Sequence, residues 1–236
     1  MACENYVRAS GLASTKGCGR VTPVDVAHYI EETAVKLHPA QRALIEVTIA
    51  HPRGKMMGDT NQLAWFSWML RQMGARRVVD VGVFTGCSAL AAALAVSSTD
   101  GAKVFGLDIS EEYVNIGKPF FEQAGVKDII DIRIGSAISS LDQLLTELGS
   151  DSIDFIFIDA VKLEYLEYYE RSLKLIRRGG IIAFDNMLMS GRVVNPAADD
   201  ENARFCRVVT ETLRDDKRID FSLLPIGDGV ALARKL

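Results

Sequence analysis

Residues 155 to 192 read "FIFIDAVKLEYLEYYERSLKLIRRGGIIAFDNMLMSGR", two strand-like apolar runs that each stop on acid: Asp159 ends the first, and Asp185 followed by Asn186 ends the second. Three oxygen-bearing side chains at neighbouring strand ends, with no histidine or cysteine among them, suit a hard cation such as magnesium, calcium or manganese. Either acid alone could instead cap the following helix, a role worth about 1 kcal/mol. Two acids together crowd like charge, which a cation would relieve, so capping and metal binding both stand as readings. Lys162 follows Asp159 by three positions. If a helix begins there, the two side chains share one face. Beside a divalent cation and partly desolvated, the ammonium pKa should fall and free the amine as a general base. The plainer reading is a surface lysine at a helix start.

A second set of candidates surrounds the stretch "DVGVFTGCS". Gly82 and Gly86 let backbone approach a ligand, and Ser88 stands where a helix could begin. The next strand stops at Asp108, 22 residues after Gly86, about the offset at which an acid grips ribose hydroxyls in dinucleotide folds. The spacing departs from G-x-G-x-x-G, so a tight strand-to-helix connection would also explain the turn. Asp80 would place negative charge near the ligand and repel a pyrophosphate. A cationic, phosphate-free nucleoside such as S-adenosylmethionine therefore fits better than a nicotinamide cofactor.

The elements that must position these residues can be read from periodicity. Helical patterns fill the chain before residue 76, in "PVDVAHYIEETAVKL", "PAQRALIEVTIAH" and "NQLAWFSWMLRQMG". From Arg77 short β-branched runs alternate with helical stretches, which predicts crossovers and a parallel sheet covered on both faces. The last segment, "IDFSLLPIGDGVALARKL", reads as strand, turn, strand. In that turn Asp228 next to glycine suits turn geometry and is read as structural. The expectation is an α/β, doubly wound, mostly parallel seven-stranded sheet with an antiparallel C-terminal hairpin and extra N-terminal helices. One domain should span 1–236, with a flexible segment over 1–20 and a helical section over 21–75. In such a sheet, ligands bind beyond the carboxyl ends of the strands, where both candidate sets fall.

Composition narrows the partners. Lys and Arg total 27 against 31 Asp and Glu, with no dense basic run, so a small molecule is expected rather than nucleic acid. No apolar stretch approaches the roughly 20 residues that span a bilayer. Cys3, Cys18, Cys87 and Cys206 lack metal-ligand spacing and predict reduced thiols in a cytoplasmic setting. The Ser content and basic excess of the N-terminus also suit a trimmed remnant of organelle targeting, as to a plastid. His28, His38 and His51 all precede the first strand, which argues against a histidine-based triad or zinc site.

Taken in order, "VVDVGVFTGCSALAAALA", "GLDISEEYVNIGKPFFEQAGV", "DFIFIDAVKLEYLEYYE", "GGIIAFDNMLMSG" and "LLPIGDGVALARK" resemble the cation-dependent class I O-methyltransferases, the group of caffeoyl-CoA O-methyltransferase, and more distantly catechol O-methyltransferase. The resemblance runs from about residue 24 to the end. It implies a Rossmann-like methyltransferase fold, a homodimer, and S-adenosylmethionine as donor. It implies that Asp80, Gly82, Val83 and Ser88 line the methionine and ribose side, that Asp108 holds the ribose, and that Ala137 contacts the adenine region. Gly58 and Asp159 are carried to the donor site on the same ground. Asp159, Asp185 and Asn186 match the family's metal ligands, and Lys162 matches the catechol enzyme's lysine. A phenol ionises near pH 10, about three units too high for a nucleophile at neutral pH, and a divalent cation lowers that value. A vicinal-dihydroxy aromatic could chelate the ion and set one oxygen in line with the sulfonium methyl.

The chain also departs from the caffeoyl-CoA pattern. Val161 stands where an acid contacts the donor, Met189 replaces a Trp, Ser190 replaces an Asn that touches substrate, and "MMGDTNQLA" differs from the usual entry to the donor lid. These departures set a rival expectation, a catalytically decayed donor-binding protein of the same fold. A nicotinamide oxidoreductase is disfavoured by the glycine spacing and by Asp80.

Overall fold

The computed structural model describes residues 24–236. The expected flexible segment over 1–20, together with Cys3, Cys18 and Pro23, lies outside the described residues. The expected helical section is represented by α1 (Val24–Thr33), α2 (Pro39–Ala50) and α3 (Thr60–Gln72). His38 opens α2: its side chain accepts the Ala40 N–H at 3.2 Å while Gln41 Oε1 accepts the His38 N–H at 2.9 Å, a reciprocal cap. Asp59 caps α3 through the N–H groups of Asn61 and Gln62.

The alternating part then runs β1 (Arg77–Val81), α4 (Cys87–Val96), β2 (Lys103–Asp108), α5 (Glu111–Gln123), β3 (Ile130–Ile134), α6 (Ala137–Leu148), β4 (Ile153–Ile158), α7 (Tyr165–Leu175), β5 (Ile176–Phe184), α8 (Glu201–Asp215), β6 (Ile219–Leu224) and β7 (Val230–Lys235). Among the described residues these strands form one seven-stranded sheet of order β3-β2-β1-β4-β5-β7-β6. The first five are parallel, and β7 pairs antiparallel with both β5 and β6. The expected doubly wound sheet with an antiparallel end is present. β5 begins earlier than the run "GGIIAFD" suggests, because Ile176 already pairs with Ile153 across a register shift.

Alternation along the strands assigns the two faces. Val78, Phe155 and Phe157 turn to the side covered by α2, α3, α4 and α5, with Phe66 of α3 stacked edge-on against both phenylalanines. Val79, Val81, Ile156 and Ile158 turn to the side covered by α6, α7 and α8. Burial on both faces explains why these strands read as continuous apolar runs. Cys87 and Cys206 are free and buried. No helix among the described residues is long and apolar enough to cross a membrane.

Order reverses between β1 and β4, since β1 leads outward to β2 and β3 while β4 leads to β5. That switch point opens a crevice beyond the strand ends. Register places the acids there: Ile158 pairs with Phe184, so Asp159 and Asp185 leave adjoining strands at one level. The Asp185 N–H reaches the Ile158 carbonyl at 3.0 Å.

Candidate functional site

At the switch point lies a cavity of about 740 Å3 walled by residues that include Gly82, Asp108, Ala137, Asp159, Lys162 and Asn186. The chain leaves β1 through Gly82 at φ 95°. A Cβ there would stand 2.1 Å from the Asp159 carbonyl oxygen, so only glycine lets the turn pass the end of β4. The turn then sends the Phe84 N–H onto Asp108 Oδ2 at 2.7 Å, while Asp108 Oδ1 accepts the Ser110 N–H at 2.8 Å. Two backbone donors fix this carboxylate at the cavity wall, and its oxygens keep acceptor capacity for a ligand's hydroxyls.

Asp80 is placed differently. It is 1% exposed behind the turn, accepts the Ser88 hydroxyl on Oδ2 at 2.6 Å, and its Oδ1 has no partner. Burial pushes its pKa up to about 7, opposed by the Ser88 hydrogen bond and reinforced by the charges of Asp159 and Asp108. Gly58, Val83 and Ser88 border a smaller hollow shared with Gly82 and Asp159, adjoining the main cavity.

The other wall is built from side chains. Lys162 Nζ donates to Asp159 Oδ1 at 2.9 Å and to the Tyr165 hydroxyl at 2.5 Å. That hydroxyl in turn donates towards the Asp185 and Ile158 carbonyls at 3.1 and 3.3 Å. Lys162–Glu164 form a 3-10 turn and α7 begins only at Tyr165, yet the contact between Asp159 and Lys162 forms. Asp185 is fully covered, with Oδ1 accepting the Asn186 N–H at 2.7 Å. Asn186, Met189 and Ser190 all take positive φ, 60°, 46° and 58°, a conformation that costs a non-glycine residue about 1 kcal/mol or more.

Two carboxylates and one amide oxygen at adjoining strand ends are the donors a hard divalent cation takes. Among the described residues no group of three or more His, Cys, Asp or Glu side chains is arranged to hold a metal; in the expected set the third donor is an amide. The histidines are engaged elsewhere: His38 caps α2, and His51 packs edge-on against Phe84 and Tyr113.

Of the departures noted above, Val161 is 53% exposed and lines the cavity, Ser190 also lines it, and Met189 is buried. Tyr165 and Asp228 are among the polar residues at the site that escaped the sequence reading. Tyr165 carried only a helical signal. Asp228, read as a turn residue, is 9% exposed, lines the same cavity, and accepts the Ser190 N–H on Oδ1 at 2.6 Å. Its signal lay in the strand order, because β7 inserts between β5 and β6 and carries the 226–229 turn back to the end of β5.

Comparison with known proteins bears on the family and the fold. A family model described as O-methyltransferase matches residues 31–236. The probable caffeoyl-CoA O-methyltransferase 2 of Dictyostelium discoideum is 39% identical over 213 residues, covering 89% of this chain and 91% of the relative. The caffeoyl-CoA O-methyltransferase of Eucalyptus gunnii is 38% identical, covering 88% of this chain and 86% of that one. Among solved structures, an SAH-bound methyltransferase of Podospora anserina superposes with TM-score 0.80 at 26% identity, covering 92% of this chain and 99% of its own. An O-methyltransferase of Bacillus cereus in complex with SAH gives 0.79 at 26% identity, covering 89% and 97%.

Proposed function

The chain belongs to the O-methyltransferase family, and from that premise we propose that it moves the methyl group of S-adenosylmethionine to one oxygen of a small vicinal-dihydroxy aromatic, with a divalent cation as helper. One observation carries the reading: Gly82, Asp108 and Ala137, expected on the donor side, and Asp159, Lys162 and Asn186, expected on the acceptor side, wall a single cavity. The SAH-bound structural relatives support the donor. The departures at Met189 and Ser190 are why the acceptor is assigned by its diol rather than as caffeoyl-CoA.

Asp108, held by two backbone N–H groups, would take the ribose hydroxyls, and Ala137 at the start of α6 would face the adenine. Asp159, Asp185 and Asn186 would hold the cation, magnesium first and calcium or manganese next, whose chemistry is to lower the pKa of a hydroxyl set against it. Lys162 would receive the hydroxyl proton at Nζ, which the Asp159 carboxylate and the Tyr165 hydroxyl aim. Met56, Ile109 and Val161, exposed at the cavity wall, offer apolar contact to an aromatic ring. Methyl transfer is a direct displacement, so most of the chain's work is to hold the attacking oxygen in line with the sulfonium carbon.

The test is incubation with donor and a panel of catechols, with product read by mass spectrometry before and after EDTA and after adding back Mg2+. Expected is transfer that chelation silences and magnesium restores. Transfer indifferent to EDTA removes the cation from the reaction, and donor binding without any methylated product identifies a decayed site. A homodimer, implied by the family resemblance, is proposed alongside and is checked by sedimentation.

A further inference from the structure

We infer that Asp228 is a positioning residue for the cation site: it orients the Asn186 amide and holds the left-handed loop that carries it. The inference rests on the cation reading proposed above. Four donors from one short loop end on Asp228 and its neighbour. The Ser190 N–H meets Asp228 Oδ1 at 2.6 Å, Asn186 Nδ2 approaches Oδ2 at 3.5 Å, the Leu188 N–H reaches the Asp228 carbonyl at 2.9 Å, and the Met187 N–H reaches the Gly229 carbonyl at 3.0 Å. This loop contains Asn186, Met189 and Ser190 at positive φ, and such backbone persists only where its surroundings over-determine it.

The amide contact is long, but its direction is set by which atoms face each other, Asn186 Nδ2 and Asp228 Oδ2. With Oδ2 as the acceptor, the Asn186 side chain turns its NH2 group to Asp228 and its oxygen away. A cation ligand needs that orientation, since the amide oxygen and not its nitrogen coordinates a hard ion. The flanking glycines keep the carboxylate in place. A Cβ on Gly229 would stand 2.4 Å from Leu188 Cγ, and one on Gly227, at φ 59°, would stand 2.6 Å from Gln62 Oε1. The Gly-Asp-Gly turn is thus wedged between the Asn186 loop and α3, closer than a free hairpin turn requires.

A purely structural turn residue and a positioning residue differ in what Asp228→Asn does. Asparagine keeps an oxygen for the Ser190 N–H and suits the turn, but its amide no longer dictates which end of Asn186 faces it. Mn2+ binding to the full chain, without donor or acceptor, would be measured by calorimetry for wild type, Asp228→Asn, Asn186→Ala and the double variant, with thermal melting of each metal-free protein. Expected is a loss of about 10-fold to 100-fold in Mn2+ affinity for Asp228→Asn, with melting close to wild type and no further loss when Asn186 is already alanine. Should Asp228→Asn fold poorly, Asp228→Ser, which also keeps a short acceptor for Ser190, replaces it in the cycle. Unchanged affinity, or a loss that adds fully to that of Asn186→Ala, overturns the positioning role and leaves the cation reading standing. Wild type that binds no Mn2+ overturns both.

Discussion

The two walls of the cavity are made differently. The wall proposed for the donor, the donor wall, is a backbone object: Gly82 passes the Asp159 carbonyl at a distance no side chain tolerates, and Asp108 is fixed by the N–H groups of Phe84 and Ser110. Gly82, Asp108 and the two backbone donors lie within one stretch, from β1 to the start of α5. The wall proposed for the acceptor is a side-chain object. Asp159, Lys162, Tyr165, Asn186 and Asp228 come from three chain segments; the first three meet through their own polar atoms, and so do the last two. Damage to the first wall should therefore appear as lost folding, and damage to the second as lost chemistry in a protein that still folds.

The largest effect is expected from Gly82→Ala. A Cβ at that site would overlap the Asp159 carbonyl at 2.1 Å, on backbone at φ 95°. Because the clash is with backbone, no rotamer change relieves it. Stability should fall by about 4 kcal/mol or more, seen as a melting temperature lower by about 10 °C, with methyl transfer lost as well. A variant that melts like wild type would erase the distinction between the walls.

Lys162→Met should do the opposite. The substitution keeps most of the apolar stem and removes only the amino group that meets Asp159 and Tyr165. Loss of a general base costs about 100-fold to 10,000-fold in kcat, while melting and Mg2+ affinity stay near wild type. If Mg2+ affinity falls in step with kcat, Lys162 shapes the ligand set rather than moving a proton.

Asp80 tests the donor wall from behind. Its folded pKa of about 7 lies well above the ordinary aspartate value of 3.8, which the unfolded chain keeps. Between these values the folded state holds more protons, so the stability Asp80 contributes is full below about pH 4 and is lost as pH rises through 7. Asp80→Asn removes this dependence. Relative to wild type, the variant should gain a few kcal/mol in stability between about pH 4 and pH 8, measured by urea unfolding across that range. A pH-independent difference would show that Asp80 stays ionised when buried.

The contrast between walls also explains what could be read from the chain alone. The parallel strands were legible because burial on both faces makes them continuous apolar runs, and the donor wall because left-handed turns leave glycines at Gly82 and Gly86. Asp159, Asp185 and Asn186 were legible as strand ends. Asp228 was not, because its place beside Asn186, 42 residues earlier in the chain, depends on β7 entering between β5 and β6. Its local signal, acid between glycines, is also what an ordinary turn would show. The loop at 186–190 was equally hidden, since Met189 and Ser190 carry no composition mark of a left-handed backbone.

The smallest effect is expected where the walls meet, at Val161. Aspartate there would restore the acid found in the caffeoyl-CoA pattern, yet the position is 53% exposed. A solvated carboxylate facing a cationic donor gains no more than about 1 kcal/mol. Asp159 and Glu164 already line the same cavity, so added negative charge brings repulsion that offsets part of the gain. Val161→Asp should therefore change donor affinity by less than about fivefold, and salt near 1 M should remove the change. Calorimetry at low and high salt reads both. A gain of about 100-fold or more that survives salt would mean that the position is dry when the donor is bound. The donor wall would then depend on a side chain after all, and its backbone construction would no longer set it apart from the wall opposite.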